Sequence, residues 1–380
     1  MSKLLTVYDD KEPLNNVVSE LTLDVDEVFY VYHHKVSINN FINIDKVIKK
    51  YKDITTHYIQ LQDDEAEISK IMNENPGIII DVGGAKYLSL FLFEIAREKD
   101  NDLVYYDDEE NVIKNYRDHV VVEDKVFKLA IEDVLRLRGG EIKDQMHQSI
   151  SDPVSREIIV SLVENNMDNY AAVIRYLTKI NSLLNDDDYQ GNNTFYLDEE
   201  KRRNILTDVS YRKIAGLFKV QEDVLVFKNS RLRNLIGVSG AFLENYIYIK
   251  LSESGYFDDV KMSVVIDFAD EKYSHPVRCE VDCLVIKDNH LLFVSCKSTK
   301  VDTTALNEIY VHNSKFGNCL SKAAICVCEE LDRKYPSFYA KGQELGIYLI
   351  DRSSFRENTI AETFKSIFDG TYEYDELEKA

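Results

Sequence analysis

The sequence has 380 residues, 44% of them hydrophobic and 30% charged, which is enough for two or three domains with buried cores. Its 67 acidic residues outnumber its 46 basic ones, and the net charge of -21 excludes a protein that coats nucleic acid through bulk positive charge. No apolar run approaches the roughly 20 residues of a membrane span, and no basic, apolar leader opens the chain. We therefore expect a cytosolic protein without membrane contact.

The first 140 residues alternate short apolar runs with amphipathic stretches, a pattern that predicts a mostly parallel sheet with helices on its faces. Strands are predicted over residues 4–8 and 27–32, and helices over residues 14–21 and 44–54. Pro76 and Gly77 then interrupt the chain before an apolar run at residues 78–82, which is typical of a buried central strand. We assign residues 1–140 to a first, α/β domain.

A strand, a tight turn and a helix follow one another at residues 78–95, and the turn is a candidate ligand site. Asp81 lies in the strand, and Gly83 and Gly84 let the backbone approach a ligand. The helix amino terminus offers free N–H groups, and Lys86 adds a positive charge for a phosphate. Ligands of such sheets gather beyond the carboxyl ends of the strands, so the loop after the first strand faces the same edge. Its weaker candidates are Asp9, Lys11 and Asn15.

Residues 141–235 have helical spacing at positions 158–177 and a polar loop predicted at 185–194. Residues 201–233 carry nine Lys or Arg against three acids, an excess of six positive charges in an acidic protein. This excess fits a solvated helix face or a strip that guides a phosphate backbone, and the sequence leaves both interpretations open. We treat residues 141–235 as a helical connecting region with a basic segment.

Residues 236–380 form the third predicted unit, a mixed α/β domain. The pattern predicts helices at residues 242–249, 306–310 and 323–331, and strands at 264–268, 281–286, 291–295 and 346–350. Residues 287–290 form the turn of a hairpin. All six cysteines lie between positions 279 and 328 without a C-x-x-C pair, so in a reducing compartment we expect free thiols.

The hairpin concentrates polar side chains at one end of two apolar strands. Because side chains alternate along a strand, Glu280 and Asp282 share one face, and Ser295 and Lys297 share a face of the paired strand. Carboxylates are the oxygen ligands that Mg2+ and Mn2+ prefer, and a lysine stabilises charge on a phosphate in the transition state. Glu244 on the preceding helix adds a third carboxylate if that helix packs beside the hairpin.

These residues resemble the PD-(D/E)xK restriction-endonuclease-like nuclease core, with Glu244 on the helix, Asp282 in the first strand and Lys297 ending the second. Ser295 departs from the pattern, which usually has Glu, Asp or Gln there, and Glu280 or the backbone carbonyl of Cys296 then supplies the missing ligand. The resemblance implies Mn2+ or Mg2+ as cofactor. The implied metal ligands are Glu244, Glu280, Asp282 and Cys296. The implied catalytic residues are Glu244, Glu280, Asp282 and Lys297.

The segment Asp-Val-Gly-Gly-Ala-Lys at residues 81–86 resembles the D-x-[TS]-G-G-[TS]-K segment of CARF domains, the Rossmann-like sensors of cyclic oligoadenylates in type III CRISPR systems. The two halves together resemble CRISPR ancillary nucleases that cyclic tetra-adenylate activates, over about residues 1–140 and 236–350. The resemblance implies a homodimer with the cyclic nucleotide on its two-fold axis. It also implies metal-dependent cleavage of single-stranded DNA, RNA or supercoiled plasmid DNA.

Two further classes of protein fit parts of the sequence. A non-catalytic adaptor would bind the cyclic nucleotide and leave nucleic acid intact, and Ser295 would then mark lost catalysis. A dinucleotide-dependent oxidoreductase is disfavoured, because Gly83 and Gly84 lack the G-x-G-x-x-G spacing. In the nuclease interpretation, Lys300 contacts the substrate backbone. Glu308, on the helix after the hairpin, either faces the cleft or is an ordinary exposed helical glutamate, and the second interpretation is favoured because charged helical residues are mostly exposed.

Overall fold

The computed structural model describes residues 2–83, 86–99, 101–145, 149–214, 216–238, 240–268, 277–298, 301–331, 335–356 and 359–373. Its strands form three sheets of seven, four and six strands, and helices cover the two larger sheets. The predicted mixed α/β fold class is confirmed. Within the described ranges, no helix is long and apolar enough to cross a bilayer.

The amino-terminal sheet has the strand order β3-β2-β1-β4-β5-β6-β7, in which the first five strands are parallel and the last two antiparallel. Its strands are β1 (Lys3–Val7), β2 (Glu27–Tyr32), β3 (Thr55–Gln60), β4 (Ile79–Asp81), β5 (Leu103–Asp107), β6 (Val112–Asn115) and β7 (Val121–Glu123). The helices of this region are α1 (Pro13–Thr22), α2 (Ile38–Tyr51), α3 (Asp64–Glu74) and α4 (Lys86–Glu98). The sequence placed the helix over residues 44–54, whereas α2 begins six residues earlier. Its first turn contains Asn39 and Asn40 and an exposed Ile38, so it does not extend the buried apolar stripe that starts at Ile44.

The middle of the chain combines helices with a small antiparallel sheet. Its elements are α5 (Ile131–Leu137), β8 (Gly140–Gln145), α6 (Pro153–Asn166), α7 (Tyr170–Leu183), β9 (Tyr189–Gly191), β10 (Thr194–Tyr196), α8 (Glu199–Leu206), β11 (Phe218–Gln221), β12 (Val224–Phe227) and α9 (Ser230–Leu235). The four-stranded sheet has the order β11-β12-β10-β9. β8 does not join it but pairs with a strand of the carboxyl-terminal sheet.

The carboxyl-terminal sheet has the order β17-β16-β15-β14-β13-β8. Its elements are α10 (Ala241–Glu253), β13 (Asp259–Phe268), β14 (Val277–Lys287), β15 (His290–Lys297), α11 (Thr303–Phe316), β16 (Lys322–Val327), α12 (Pro336–Glu344), β17 (Ile347–Ile350), α13 (Arg352–Arg356) and α14 (Ile360–Phe368). β15, β16 and β17 run parallel, and α11 connects β15 to β16. The predicted hairpin is confirmed and is formed by β14 and β15.

Two sequence predictions are wrong, one in the carboxyl-terminal sheet and one in the middle of the chain. Residues 323–331 were expected to be helical, but β16 occupies residues 322–327, because a strand buried on both faces is apolar throughout and has no diagnostic period. Residues 185–194 were expected to form a loop, but β9 and β10 form a hairpin there. Asn192 and Asn193 both have positive φ, which is the geometry of a type I′ turn.

One apolar core joins the two large sheets. It contains Leu4 and Val28 of the amino-terminal sheet together with Leu284 and Phe293 of the hairpin, all fully buried. A second core lies between the other face of the hairpin and α6, α7 and α10. The hairpin is therefore packed on both faces, and its polar end is held in a fixed position.

Candidate functional site

The candidate nuclease site lies where β14 and β15 part. The two strands pair in register only as far as Cys283 and Val294. Beyond that pair, Oδ2 of Asp282 accepts hydrogen bonds from the hydroxyl of Ser295 (3.1 Å) and from the N–H of Cys296 (2.6 Å). Here the carboxylate of Asp282, rather than a backbone carbonyl, accepts the hydrogen bonds that connect the two strands. Its second oxygen remains available at this end of the strands.

Ser295, which departs from the nuclease pattern, acts in this structure as a hydrogen-bond donor to Asp282. A glutamate at that position would instead place a second carboxylate against Asp282. The neighbouring carboxylate comes from Glu280, two residues earlier on the same strand. The hydroxyl of Ser263 in β13 donates a hydrogen bond of 3.3 Å to Glu280 Oε1. Ser263 is fully buried and has a φ of 53°, a conformation uncommon for non-glycine residues.

Glu244 lies on α10, which packs against the face of the carboxyl-terminal sheet opposite to the face covered by α11. Its side chain is 8% exposed. Burial is the largest cause that raises its pKa to about 8, and the charges of Asp282 and Glu280 raise it further, whereas Lys297 lowers it. Helix α10 starts after Gly240, which has a φ of 89°, and a Cβ there would lie 2.7 Å from Glu244 Oε1. Glycine at this position therefore leaves room for the carboxyl group.

A cleft of about 160 Å³ brings the hairpin residues together with α11. Its polar lining residues are Glu280, Asp282, Ser295, Lys297, Glu308 and His312. Glu308 is exposed and also lines this cleft, which is the less favoured of the two interpretations that the sequence left open. His312 was missed, although it follows Glu308 by four residues and so lies on the same helix face. Burial lowers the pKa of His312, while Glu308 and Asp282 act in the opposite direction.

The cysteines near the site are free thiols, as predicted. The thiol of Cys296 lies in the second core, where a hydrogen bond with Cys326 and burial raise its pKa well above the usual value. Only the backbone of Cys296 faces Asp282. Because the N–H and C=O of one strand residue point to the same side, its carbonyl also points toward the site.

The donor set suits a hard divalent cation. The carboxyl group of Glu244 interacts electrostatically with the carboxylates of Asp282 and Glu280 and with the ammonium group of Lys297, so among these four groups negative charge is in excess. Oxygen ligands of this kind are the ones that Mg2+ and Mn2+ prefer. In the part of the chain that the structure describes, no three His, Cys, Asp or Glu side chains already form a metal-binding group.

A second polar cluster lies at the carboxyl edge of the amino-terminal sheet. Asp81 is 1% exposed, its Oδ1 accepts the N–H of Gly83 (2.9 Å), and its Oδ2 accepts the hydroxyl of Thr6 (3.3 Å). Asn16, which sequence reasoning missed, donates to Thr6 Oγ1 (2.7 Å) and accepts the N–H of Asp9 (3.3 Å). This network joins the loop after β1 to the glycine turn after β4, so the two predicted ligand loops lie together.

Burial raises the pKa of Asp81 to about 6, and the hydrogen bond from Gly83 opposes this shift. Asp81 lies beneath the turn, so it orients the backbone there. The carboxylate of Asp9 accepts the N–H of Lys11 (2.9 Å) within its own loop, and Lys11 is exposed. Gly84 and the side chain of Lys86 lie outside the described residues, as does Lys300.

The comparisons with known proteins agree with this architecture. Residues 229–314 match the family model described as "Card1-like, endonuclease domain", and this segment contains Glu244, Glu280, Asp282 and Lys297. The match supports nuclease activity. No curated protein matches the sequence.

Two solved structures share the fold over nearly the whole chain. Protein VC1899 from Vibrio cholerae is 15% identical with a TM-score of 0.76, and 98% of this chain and 99% of that chain are covered. Can2 from Sulfobacillus thermosulfidooxidans, solved in complex with cyclic tetra-adenylate, is 16% identical with a TM-score of 0.71, and 97% and 99% are covered. Residues 229–314 thus match a Card1-like endonuclease domain, and the chain as a whole has the mixed α/β fold of VC1899 and Can2.

Proposed function

We propose that this protein is a cyclic-oligoadenylate-activated, metal-dependent nuclease that acts in the cytoplasm in type III CRISPR antiviral defence. It cleaves single-stranded DNA or RNA and nicks supercoiled DNA. The observation that carries this proposal is that Glu280, Asp282 and Lys297 line one cleft and that their charges act on the buried Glu244, all within the segment that matches the endonuclease model.

In this proposal Glu244, Glu280, Asp282 and the carbonyl of Cys296 hold Mn2+ or Mg2+. When bound, the cation supplies Lewis-acid stabilisation of the phosphoryl oxygens and an acidified water. The hydroxyl of Ser295 and the N–H of Cys296 fix the orientation of Asp282. These two hydrogen bonds hold a carboxylate whose second oxygen faces the cleft.

Lys297 ends β15 and lines the cleft, and its ammonium group would contact a non-bridging oxygen of the scissile phosphate. The carboxyl group of Glu244, with a pKa of about 8, carries a proton at neutral pH, because burial and then the charges of Asp282 and Glu280 disfavour its ionised form. Loading of the cation would release that proton. Glu308 and His312 form the opposite wall of the cleft, on α11.

The activator site is assigned to the turn after β4 and the loop after β1. Gly83, Gly84 and Lys86 would contact a phosphate of cyclic tetra-adenylate, with Asp9 and Lys11 beside them. Asp81 acts through the Gly83 turn, because it is buried beneath it. The solved complex of Can2 with cyclic tetra-adenylate, on the same fold, supports this choice of ligand.

We assign a homodimer through the amino-terminal domain. Tyr87 and Leu90 in the first turns of α4 are 67% and 63% exposed, next to the activator turn. Large apolar side chains in such a position favour burial by a second copy. A ligand at this face would then contact both copies.

We divide the chain into a sensor at residues 1–140, a connecting region at 141–235 and a nuclease at 236–380. The sensor and the nuclease touch directly. Asn289 in the hairpin turn accepts the N–H of Leu129 (2.8 Å) and donates to the carbonyl of Phe127 (2.9 Å). Arg138 donates to the carbonyls of Lys11 in the ligand loop and of Ser314 in α11. These contacts provide a physical connection between ligand binding and the cleft wall.

The test is cleavage of labelled single-stranded RNA, single-stranded DNA and supercoiled plasmid with Mn2+ and cyclic oligoadenylates of three to six units. Wild-type protein should cleave only with metal and activator. Asp282→Ala and Lys297→Ala should abolish cleavage and retain activator affinity. Lys86→Ala should shift half-maximal activation to higher activator concentration and retain the maximal rate.

The control is Lys49→Ala, which removes an exposed lysine on α2 and should behave like wild type. Undiminished cleavage by Asp282→Ala would reject the assigned site. Wild-type protein that binds the activator but cleaves no substrate with any metal would favour the non-catalytic adaptor.

A further inference from the structure

A second cavity, of about 350 Å³, lies in the connecting region and plays no part in the nuclease site. Its volume falls within the range of about 300–1,000 Å³ that is typical of ligand pockets. Apolar side chains of α6 and of the segment before β11 form much of its wall. These residues are Val154, Ile158, Leu162, Ile214 and Leu217.

The mouth of this cavity carries more positive than negative charge. Lys213 and Lys228 both line it, against the single carboxylate of Glu157. Both lysines are exposed, and neither forms an ion pair with any residue that the structure describes. Both belong to the basic segment at residues 201–233.

The backbone fixes the two lysines in place. The carbonyl of Lys213 accepts a hydrogen bond of 3.4 Å from the side chain of Asn166, which is 4% exposed. The N–H of Lys228 donates to the carbonyl of Leu217 over 2.9 Å. The cavity mouth is therefore part of the folded scaffold.

Helix α6 lies between this cavity and α10, which carries Glu244. Ser161 and Asn165 on one face of α6 line the cavity. On another face, Glu164 accepts hydrogen bonds of 3.2 Å from Tyr246 and Lys250 of α10. An α-helix with its side chains is about 10–12 Å across, so at least this distance separates the cavity from α10.

We infer that this cavity is a subsite for a nucleotide of the single-stranded nucleic acid substrate, away from the scissile phosphate. Lys213 and Lys228 contact phosphates, the apolar wall contacts the base, and Ser161 and Asn165 offer hydrogen bonds to its edge. The inference rests on the proposed nuclease function. It gives an acidic protein a local point of attraction for a polyanion, because Lys213 and Lys228 lie at the same opening.

The experiment measures binding without cleavage. Fluorescence anisotropy in EDTA follows a labelled single-stranded 20-mer, as RNA and as DNA, across a salt series. The double variant Lys213→Ala/Lys228→Ala should bind at least tenfold more weakly at low salt. Its slope of log affinity against log salt should be shallower by about 1.4, because each lost phosphate contact contributes about 0.7 for single strands.

The matched control is Lys46→Ala/Lys49→Ala, which removes two exposed lysines from α2 and should retain the wild-type slope. Photocrosslinking with a 5-iodouridine oligonucleotide should label residues 154–165 or 213–228. An unchanged salt slope in the Lys213→Ala/Lys228→Ala variant would overturn the inference. So would a competition in which polyglutamate displaces the labelled oligonucleotide as effectively as unlabelled oligonucleotide does. The binding measurement is made in EDTA and does not depend on cleavage. A wild-type protein that never cleaves would therefore refute the nuclease proposal without changing the outcome of the binding measurement.

Discussion

Asp81 offers a quantitative test of how the activator turn is built. Burial raises its pKa from 3.8 to about 6, so the folded protein binds a proton that the unfolded chain has released. Stability from this group is therefore highest below pH 3.8 and declines as the pH rises to about 6. At 1.36 kcal/mol per pKa unit, the full loss is about 3 kcal/mol, of which about 2 kcal/mol develops between pH 4 and pH 7.

Asp81→Asn removes this titration and retains an oxygen that accepts the N–H of Gly83. The free energy of unfolding should be measured by urea titration, followed by circular dichroism, at pH 4, 5, 6 and 7 for both proteins. The difference between variant and wild type should shift by about 2 kcal/mol in favour of the variant from pH 4 to pH 7. Asp53→Asn, which removes an exposed carboxylate from the same domain, is the control. A difference that stays constant across the series would refute the reasoning.

Two further substitutions test the nuclease half. Gly240→Ala places a Cβ 2.7 Å from Glu244 Oε1 at a φ of 89°, so it should cost about 1–3 kcal/mol in urea unfolding and slow cleavage. Gly255→Ala is its control, because Gly255 also has positive φ but no atom within 4 Å of the added Cβ; equal cleavage by the two variants would contradict the assigned role of Gly240. Phe293→Ala empties part of the core shared by both sheets and should lower the free energy of unfolding by about 3–5 kcal/mol, and a loss below 1 kcal/mol would show that this core is loosely packed.

Elements with local patterns could be predicted from the order of residues alone. The strand at residues 27–32 and the helix after the glycine turn follow from periodicity and turn residues alone. The hairpin of β14 and β15 was equally readable, because alternation places Glu280 and Asp282 on one face. These patterns depend only on residues close together in the sequence, so they can be recognised without knowledge of the tertiary structure.

Only the tertiary structure decided which distant residues meet. β16 was mistaken for a helix, since its burial on both faces by other elements erases the period that would identify it. Asn16 carries no sequence signal, because its importance comes from the neighbours that packing brings to it. His312 shares a helix face with Glu308 through their spacing of four residues, but that spacing does not reveal that the face borders the cleft. The raised pKa of Glu244 likewise depends on burial and on charges some forty residues away in the chain. Long-range contacts set these properties, and local sequence patterns do not encode them.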